Sequence, residues 1–193
     1  MIVLTHFHAD HIVGLNRVLK HCVVGSVYYP KSYVDQQSMQ NILWFENIKN
    51  IKSTEVLSDI VLNLNDLKMV LIPSSILGNS LNNSSFAVYL DLKKFKALLM
   101  ADLEKAALEK IKDRIFYYLG NQRVEIYKAS HHGSLNGHLV HFLSKIRPRI
   151  CVISVGKKNK FGHPNQKVIE DLVNIGCKVA QTAKEGTIEV LIK

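Results

Sequence analysis

Short apolar runs of β character alternate with helix-like patterns along most of the chain. Ile2–Leu4 predicts the end of a buried strand, and residues 12–22 (IVGLNRVLKHC) repeat their apolar side chains at helical spacing. Residues 24–30 (VGSVYYP) predict a short strand that ends at a proline, and residues 33–50 have a weaker helical pattern. The first part of the chain is therefore expected to alternate strand and helix.

The remainder of the chain continues this alternation around a β-rich centre. The predicted strands are KMVLIPSS (68–75), SFAVYLDL (85–92), FKALLMAD (95–102), VEIYKAS (124–130), RICVISVG (149–156), KVAQT (178–182) and TIEVLI (187–192). The predicted helices are residues 103–119, 138–146 and 165–176, the last closed by Gly176. The central strands have the spacing of antiparallel hairpins, so the pattern predicts an α/β sandwich with mixed sheets.

Length and composition favour one globular domain over residues 1–193. The chain is 47% hydrophobic and 21% charged, which excludes a disordered or collagen-like protein. It contains neither a long apolar run that would span a membrane nor a basic, apolar leader. We therefore expect it in the cytoplasm, or at a membrane through a partner. Three widely spaced cysteines predict reduced thiols.

The formal net charge of +9 is unevenly distributed. Lys and Arg outnumber Asp and Glu by 2 in residues 1–100 and by 7 in residues 101–193. This asymmetry favours an acidic partner such as a nucleic acid, although a solvated basic surface would have the same composition.

Four residues of metal-binding types, three histidines and one aspartate, lie within the heptapeptide THFHADH (5–11), directly after the first apolar run. Alternate residues in a short loop point the same way, so His6 and His8 are expected to face one ion while Asp10 and His11 turn toward a second. Imidazole and carboxylate groups suit zinc, manganese or iron in a catalytic site with open coordination positions. Chance clustering of surface histidines is the alternative, but it does not explain four such residues together.

Other candidate ligands follow later strands. Asp102 ends a buried run, where a carboxylate is costly unless paired or bound to metal, although capping the next helix is an alternative role. His131 and His132 follow the strand 124–130, and His163 follows the strand 149–156. Side chains at strand ends commonly form the sites of α/β proteins.

Four motifs occur in a fixed order: THFHADH, MAD (100–102), ASHHGS (129–134) and ISVGKKNKFGHP (153–164). Together they resemble the metallo-β-lactamase-fold hydrolases, and more narrowly the soluble C-terminal domain of the ComEC DNA-uptake proteins. Asn82–Ser85 and Ala101–Glu104 match the ComEC-like pattern as well. The resemblance extends from about residue 2 to the C-terminus and implies an αββα sandwich.

The resemblance also implies roles for individual residues. His6 and His8 would bind one divalent ion, Asp10 and His11 a second, and Asp102 would bridge them. His163 is the expected final ligand, with His131 or His132 stabilising or protonating near the scissile phosphate; exchanged roles among these three histidines stay open. Asp10 would also help to hold the attacking hydroxide. Substrate contacts are expected from Asn82, Asn83, Ser134, Lys157, Lys158 and Lys160.

The chain departs from the family pattern in two places. Asparagines at 82–83 stand where many members have a further histidine, so one or two ions, zinc or manganese, are expected. About 50 residues of strands that normally precede the histidine motif are also absent, which predicts a sandwich lacking its N-terminal strands. A misassigned start, a decayed gene and a shortened protein are the alternative explanations.

The leading functional hypothesis is a metal-dependent hydrolase that cleaves or handles nucleic-acid phosphodiesters, with single-stranded DNA in uptake as the expected substrate. Its expected partners are that DNA and a membrane DNA-channel protein. The alternatives are hydrolysis of a small ester, thioester or lactam, and a metal-containing DNA-binding module or inactive remnant.

Overall fold

The architecture comes from a computed structural model, which describes residues 1–31, 51–74 and 80–191. The weak helical prediction for residues 33–50 lies outside the described residues. The described strands are β1 (Ile2–Val3), β2 (Ser26–Pro30), β3 (Lys52–Val56), β4 (Ile60–Leu64), β5 (Leu67–Pro73), β6 (Phe86–Leu92), β7 (Phe95–Leu99), β8 (Ile126–Lys128), β9 (Ile150–Ile153) and β10 (Lys178–Gln181). The described helices are α1 (Ala9–Ile12), α2 (Leu15–His21), α3 (Lys105–Leu119), α4 (Val140–Ile146), α5 (Gln166–Asn174) and α6 (Thr182–Glu185).

The described strands form two sheets. The smaller sheet has the order β1-β2-β3 with parallel pairing throughout. The larger sheet has the order β10-β9-β8-β7-β6-β5-β4, parallel from β10 to β7 and antiparallel from β7 to β4. The predicted mixture of βα units and antiparallel hairpins is therefore confirmed.

Side-chain alternation along the strands builds a four-layer sandwich. On β5, Val70 and Ile72 pack into the large core with α3, α4 and α5, while Leu71 faces a second cluster that also contains Tyr28 of β2. On β2, Val27 instead packs with Leu19 of α2. Because neighbouring strand residues point to opposite faces, the layers run from α2 through the two sheets to α3, α4 and α5.

The helix predictions for the second half are confirmed within a few residues. The long helix α3 begins at Lys105 and buries Ala107, Leu108, Ile111 and Ile115 at helical spacing. In the N-terminal part, the single predicted helix over residues 12–22 is instead two short helices, α1 and α2, which meet around Gly14.

The strand predicted at residues 187–192 is wrong over the residues described. Residues 187–191 have no regular structure, and the chain after β10 turns into α6 instead. The alternating pattern of TIEVL is that of a strand, but a strand needs a hydrogen-bonded partner, and β10 closes this edge of the sheet among the described residues.

The expectation of three reduced thiols is also wrong. Cys151 and Cys177 form a disulfide, and Cys22 is free and exposed. Cys151 lies on β9 and Cys177 directly precedes the neighbouring strand β10, which brings two cysteines 26 positions apart in sequence to a Cα–Cα distance of 6.0 Å. That proximity comes from the pairing of β9 with β10, so the spacing of the two cysteines in the sequence does not indicate it.

Candidate metal centre

The predicted ligand-type residues meet where several strands end. His6 and His8 follow β1, and Asp10 and His11 lie on α1 immediately after them. The turn after β7 carries Asp102. His131 and His132 lie in the turn Ser130–Gly133 after β8, and His163 lies in the loop between β9 and α5. Because β7, β8 and β9 are parallel neighbours, their carboxyl ends bring these segments together.

Two groups of potential metal-binding atoms form at this edge. The first group is His6, His8 and Asp102; the second is Asp10, His11, Asp102 and His132. Within each group the ligand atoms lie within 4.8 Å of one another. Asp102 belongs to both groups, whereas His6 and His8 fall in the first and Asp10 and His11 in the second.

Distances within the cluster centre on the Asp102 carboxylate. Its Oδ2 atom lies 3.6 Å from Nε2 of His6 and 3.6 Å from Nε2 of His11. Nε2 of His132 lies 3.5 Å from the same oxygen and 3.2 Å from Oδ2 of Asp10. One carboxylate thus faces three imidazoles across gaps longer than ordinary hydrogen bonds.

Several buried polar atoms of the cluster lack hydrogen-bond partners among the described residues. They are Nε2 of His6, Nε2 of His11 and Oδ1 of Asp102. Buried polar side-chain atoms are nearly always satisfied in folded proteins, and unsatisfied ones call for a missing water or ion. Converging unpaired nitrogen and carboxylate atoms are the donor set that a divalent transition-metal ion takes, so the residues present fit the metal that the sequence predicts.

The ring orientations also suit metal binding. Nδ1 of His132 lies 2.7 Å from the carbonyl oxygen of Ser154, and Nδ1 of His6 lies 3.3 Å from Oγ1 of Thr5. A histidine that donates one ring N–H to a carbonyl keeps the other nitrogen unprotonated and oriented. In both residues the engaged atom is Nδ1, which leaves Nε2 directed into the cluster.

The backbone beside the cluster adopts uncommon conformations. Ala101, His131 and His132 all have left-handed φ values, of 47°, 45° and 53°. The amide of His131 donates to the carbonyl of Ala101 at 3.0 Å, which ties the two turns together. Such conformations cost about 1–3 kcal/mol each and concentrate at functional sites.

Gly133 completes this turn because no larger residue fits there. A Cβ atom at Gly133 would lie 2.7 Å from Cβ of Pro164, and its φ is +80°. The close approach packs the His131–His132 turn directly against the segment that carries His163.

Charge and burial shift the pKa values of the cluster in opposite directions. Burial lowers the pKa of His6 to about 3, with the neighbouring His11 acting in the same direction. Burial would raise the pKa of Asp102, but its contacts with His11 and His132 outweigh this and hold that pKa well below its usual range. The carboxylate of Asp102 in turn raises the pKa of His132. Asp102 is therefore ionised and His6 neutral, the forms in which both can bind a metal ion.

The cluster forms part of the wall of an open cavity of about 340 Å³. The cavity is lined by His8, Ala9, Asp10, Asp102, His131, His132, Phe161 and His163. His163 belongs to neither ligand group and instead has its ring 5.6 Å from that of His131. The structure thus brings His132 into the second group of candidate ligands and places His131 and His163 beside it.

Asn82 and Asn83 contact Glu104 rather than the cavity lining. Their side-chain amides donate to the Glu104 carboxylate at 3.4 and 3.0 Å, and Oδ1 of Asn83 accepts from the Glu104 amide at 3.2 Å. Oε1 of Glu104 lies 3.7 Å from Nδ1 of His131. The asparagines therefore position an acidic group behind a cavity histidine.

The remaining predicted substrate contacts lie in two places. Ser134 is buried, and its hydroxyl accepts from the Asn136 amide at 3.2 Å at the start of a short 3-10 turn. Lys157, Lys158 and Lys160 are exposed on the loop that precedes His163.

Sequence reasoning missed two residues around the cavity. Glu104 follows Asp102 by two positions within a motif that was identified, but only the fold shows that it faces His131. Phe161 lies between the loop lysines and His163, and it was overlooked because a single aromatic residue in a polar loop is ordinary.

The chain belongs to the metallo-beta-lactamase superfamily, whose family model matches residues 2–156. Among curated relatives, it is 30% identical over its full 193 residues to ComE operon protein 3 of Bacillus subtilis (strain 168), of which it covers 24%. It is 31% identical over 121 residues, 63% of its own length, to Recombination protein 2 of Haemophilus influenzae, of which it covers 15%. The chain thus spans a quarter or less of these relatives, and the resemblance to ComEC-like proteins is confirmed.

Solved structures share the fold at low sequence identity. CmlA, a diiron beta-hydroxylase from Streptomyces venezuelae, matches with a TM-score of 0.63 and 16% identity over 93% of this chain and 42% of its own. The metallo-beta-lactamase fold protein YhfI from Bacillus subtilis matches with a TM-score of 0.55 and 12% identity over 93% of this chain and 73% of its own. These similarities support the fold alone. In the ranges that the structure covers, no helix has the length and apolarity needed to cross a membrane.

Proposed function

We propose that the chain is a metal-dependent phosphodiesterase that binds one or two divalent ions, zinc or manganese, and cleaves single-stranded DNA. The observation that carries the proposal is the pair of ligand groups sharing Asp102 at the wall of an open cavity. A bridging carboxylate between two histidine-rich groups suits two-metal hydrolysis of phosphate esters.

The proposed ligand set follows the geometry of the two groups. His6, His8 and Asp102 would hold one ion, and Asp10, His11, Asp102 and His132 the other. The ions would lower the pKa of a water molecule toward neutrality and neutralise charge on the phosphate. His132 replaces the originally expected His163 in this set, because Nε2 of His132 lies within 3.5 Å of both carboxylates.

His131 and His163 are then available to act on the substrate. Both line the cavity without belonging to a ligand group. We assign His131 to hydrogen bonding or protonation at the phosphodiester, with the Glu104 carboxylate facing its Nδ1 atom at 3.7 Å. His163 lies close enough to His131 to contact the same phosphate group.

The proposed substrate rests on charge and on the relatives. Residues 101–193 carry most of the net positive charge, and Lys157, Lys158 and Lys160 are exposed on the loop bordering the cavity. Exposed lysines attract phosphate backbones in a salt-dependent manner. Similarity to ComE operon protein 3 supports a role in DNA uptake, with a membrane DNA-channel protein as the partner that would bring this chain to the membrane.

Cleavage of a labelled single-stranded oligonucleotide tests the proposal, with manganese or zinc supplied after chelation. The wild type should cleave only with metal, and His6→Ala and Asp102→Asn should abolish cleavage. The matched control is His141→Ala, because His141 is a surface histidine whose Nε2 pairs with Glu109. Bound metal and salt-sensitive DNA binding without cleavage would refute the enzyme and leave a binding module, whereas cleavage unaffected by His6→Ala would refute the site.

A further inference from the structure

An exposed aromatic ring stands at the mouth of the metal cavity. The side chain of Phe161 is 82% exposed, yet it lines the same cavity as Asp10, Asp102 and His132. Isolated exposed apolar residues are common on protein surfaces. Phe161 differs from such residues because its ring lies where it would contact a substrate bound in the cavity.

Two hydrogen bonds hold the loop that carries Phe161. Nδ2 of Asn159 donates to the carbonyl of His163 at 2.7 Å, and its Oδ1 accepts from the amide of His163 at 2.9 Å. The three intervening residues are therefore closed into a short loop with Phe161 at its centre, where Gly162 supplies the left-handed turn at φ +67°. The backbone that carries the ring is therefore ordered before any ligand arrives, which lowers the ordering cost of binding.

The Phe161 ring is also aligned with a cavity histidine. Its plane makes an angle of 22° with the imidazole of His163, at a centroid separation of 6.1 Å. The two rings therefore present nearly parallel faces beside the cavity. Most of Phe161 nevertheless remains open to contact.

The positive charge around the Phe161 ring favours anionic ligands among those that could stack on the ring. Lys157, Lys158 and Lys160 lie within four positions of Phe161 and are all exposed. Aromatic rings among cationic side chains are the elements that bind single-stranded nucleic acids, because the cations track the backbone while bases stack on the rings. Bases inside a duplex stack on each other and are unavailable to such a ring.

We propose that Phe161 is a stacking platform for the nucleobase next to the phosphate held at the metal cavity, and that it makes the site selective for single strands. This assignment rests on the proposed phosphodiesterase function. It adds the part of the substrate that the ligand cluster does not contact, an unpaired base.

The test is fluorescence titration of short single strands that carry one 2-aminopurine at successive positions, because stacking quenches this base. The full chain should quench one position strongly, Phe161→Ala should abolish the quenching and Phe161→Trp should retain it. The matched control is Tyr117→Ala, since Tyr117 is an equally exposed aromatic residue, 81%, on α3 and outside the cavity lining.

Affinity provides a second readout. Stacking of one base contributes about 1–3 kcal/mol, so Phe161→Ala should raise the Kd for an intact strand by about 5- to 150-fold. The variant and the wild type should bind alike to a strand that is abasic at the quenched position. Equal weakening toward intact and abasic strands, or quenching unchanged by Phe161→Ala, would overturn the proposal.

These binding readouts are independent of hydrolysis, so the two proposals fail separately. Metal-dependent hydrolysis by the wild type of bis(4-nitrophenyl) phosphate, a diester without a nucleobase, reports the phosphodiesterase separately from base stacking. Quenching at one position without hydrolysis of any diester would refute the phosphodiesterase and keep the platform. Metal-dependent hydrolysis with no Phe161-dependent quenching would keep the phosphodiesterase and refute the platform.

Discussion

Removing the imidazole of His132 should cost the protein the ion held with Asp10, His11 and Asp102, whereas removing that of His163 should not. His132 belongs to the group that contains Asp10, His11 and Asp102, and its Nδ1 is anchored on the Ser154 carbonyl. His163 lies outside both groups and has its ring beside His131. The substitutions His132→Ala and His163→Ala therefore separate a ligand from a cavity residue, a distinction that the sequence left open.

The magnitude follows from binding linkage. Loss of a hydrogen-bonded neighbour of a ligand typically costs 10–100-fold in metal affinity, so loss of a ligand should cost at least about 100-fold. At a metal concentration about 100 times the wild-type Kd, this removes most of about 2.7 kcal/mol of metal-dependent stabilisation. For a chain of this size, that is about 5–11 °C in Tm.

Thermal unfolding with and without manganese or zinc, together with metal content after dialysis, measures the difference. The wild type and His163→Ala should both show the full metal-dependent rise in Tm, and His132→Ala should lose the part that this ion contributes. The reasoning would be refuted if His163→Ala lost the rise while His132→Ala kept it, because the strand end after β9 would then supply the ligand.

Three further outcomes follow from individual contacts. In the metal-free protein, burial depresses the pKa of His6 to about 3, so the unfolded state binds a proton more readily than the folded state. The free energy of unfolding by urea should therefore fall as the pH drops from about 6.5 towards 3, and a pH dependence that is unchanged in His6→Gln would contradict this. Glu104→Gln should lower the rate of diester cleavage by about 10-fold or more, with metal content unchanged, because Glu104 faces His131 rather than a ligand. Loss of metal in this variant would instead assign Glu104 to the metal site. Ile111→Ala, at a fully buried position of α3, should lower the free energy of unfolding by about 2–5 kcal/mol, and a change below about 1 kcal/mol would contradict the described core packing.

The fold and the local grouping of the candidate ligands in the histidine motif could be predicted from the sequence because their signals are local. The helical spacing of Leu108, Ile111 and Ile115 depends only on the sequence of α3 itself. The division of THFHADH into His6 with His8 and Asp10 with His11 likewise depends on a short loop.

The features that the sequence left open depend on contacts between distant segments. The placement of His132 within a ligand group, and of His163 outside both groups, depends on how distant turns pack together, as where Gly133 lies against Pro164. The Cys151–Cys177 pair depends on the neighbouring positions of β9 and β10. The unformed strand at residues 187–191 shows the converse: its local pattern is correct for a strand, but the sheet offers it no partner among the described residues.

Metal content and cleavage measured together on Asp102→Asn test the central claim most directly. Asp102 is the one residue common to both ligand groups within the described structure. Wild-type protein should bind divalent ions and cleave single-stranded DNA, and Asp102→Asn should lose both, while His141→Ala keeps both. Full metal occupancy in Asp102→Asn, or cleavage that persists in excess chelator, would contradict the account.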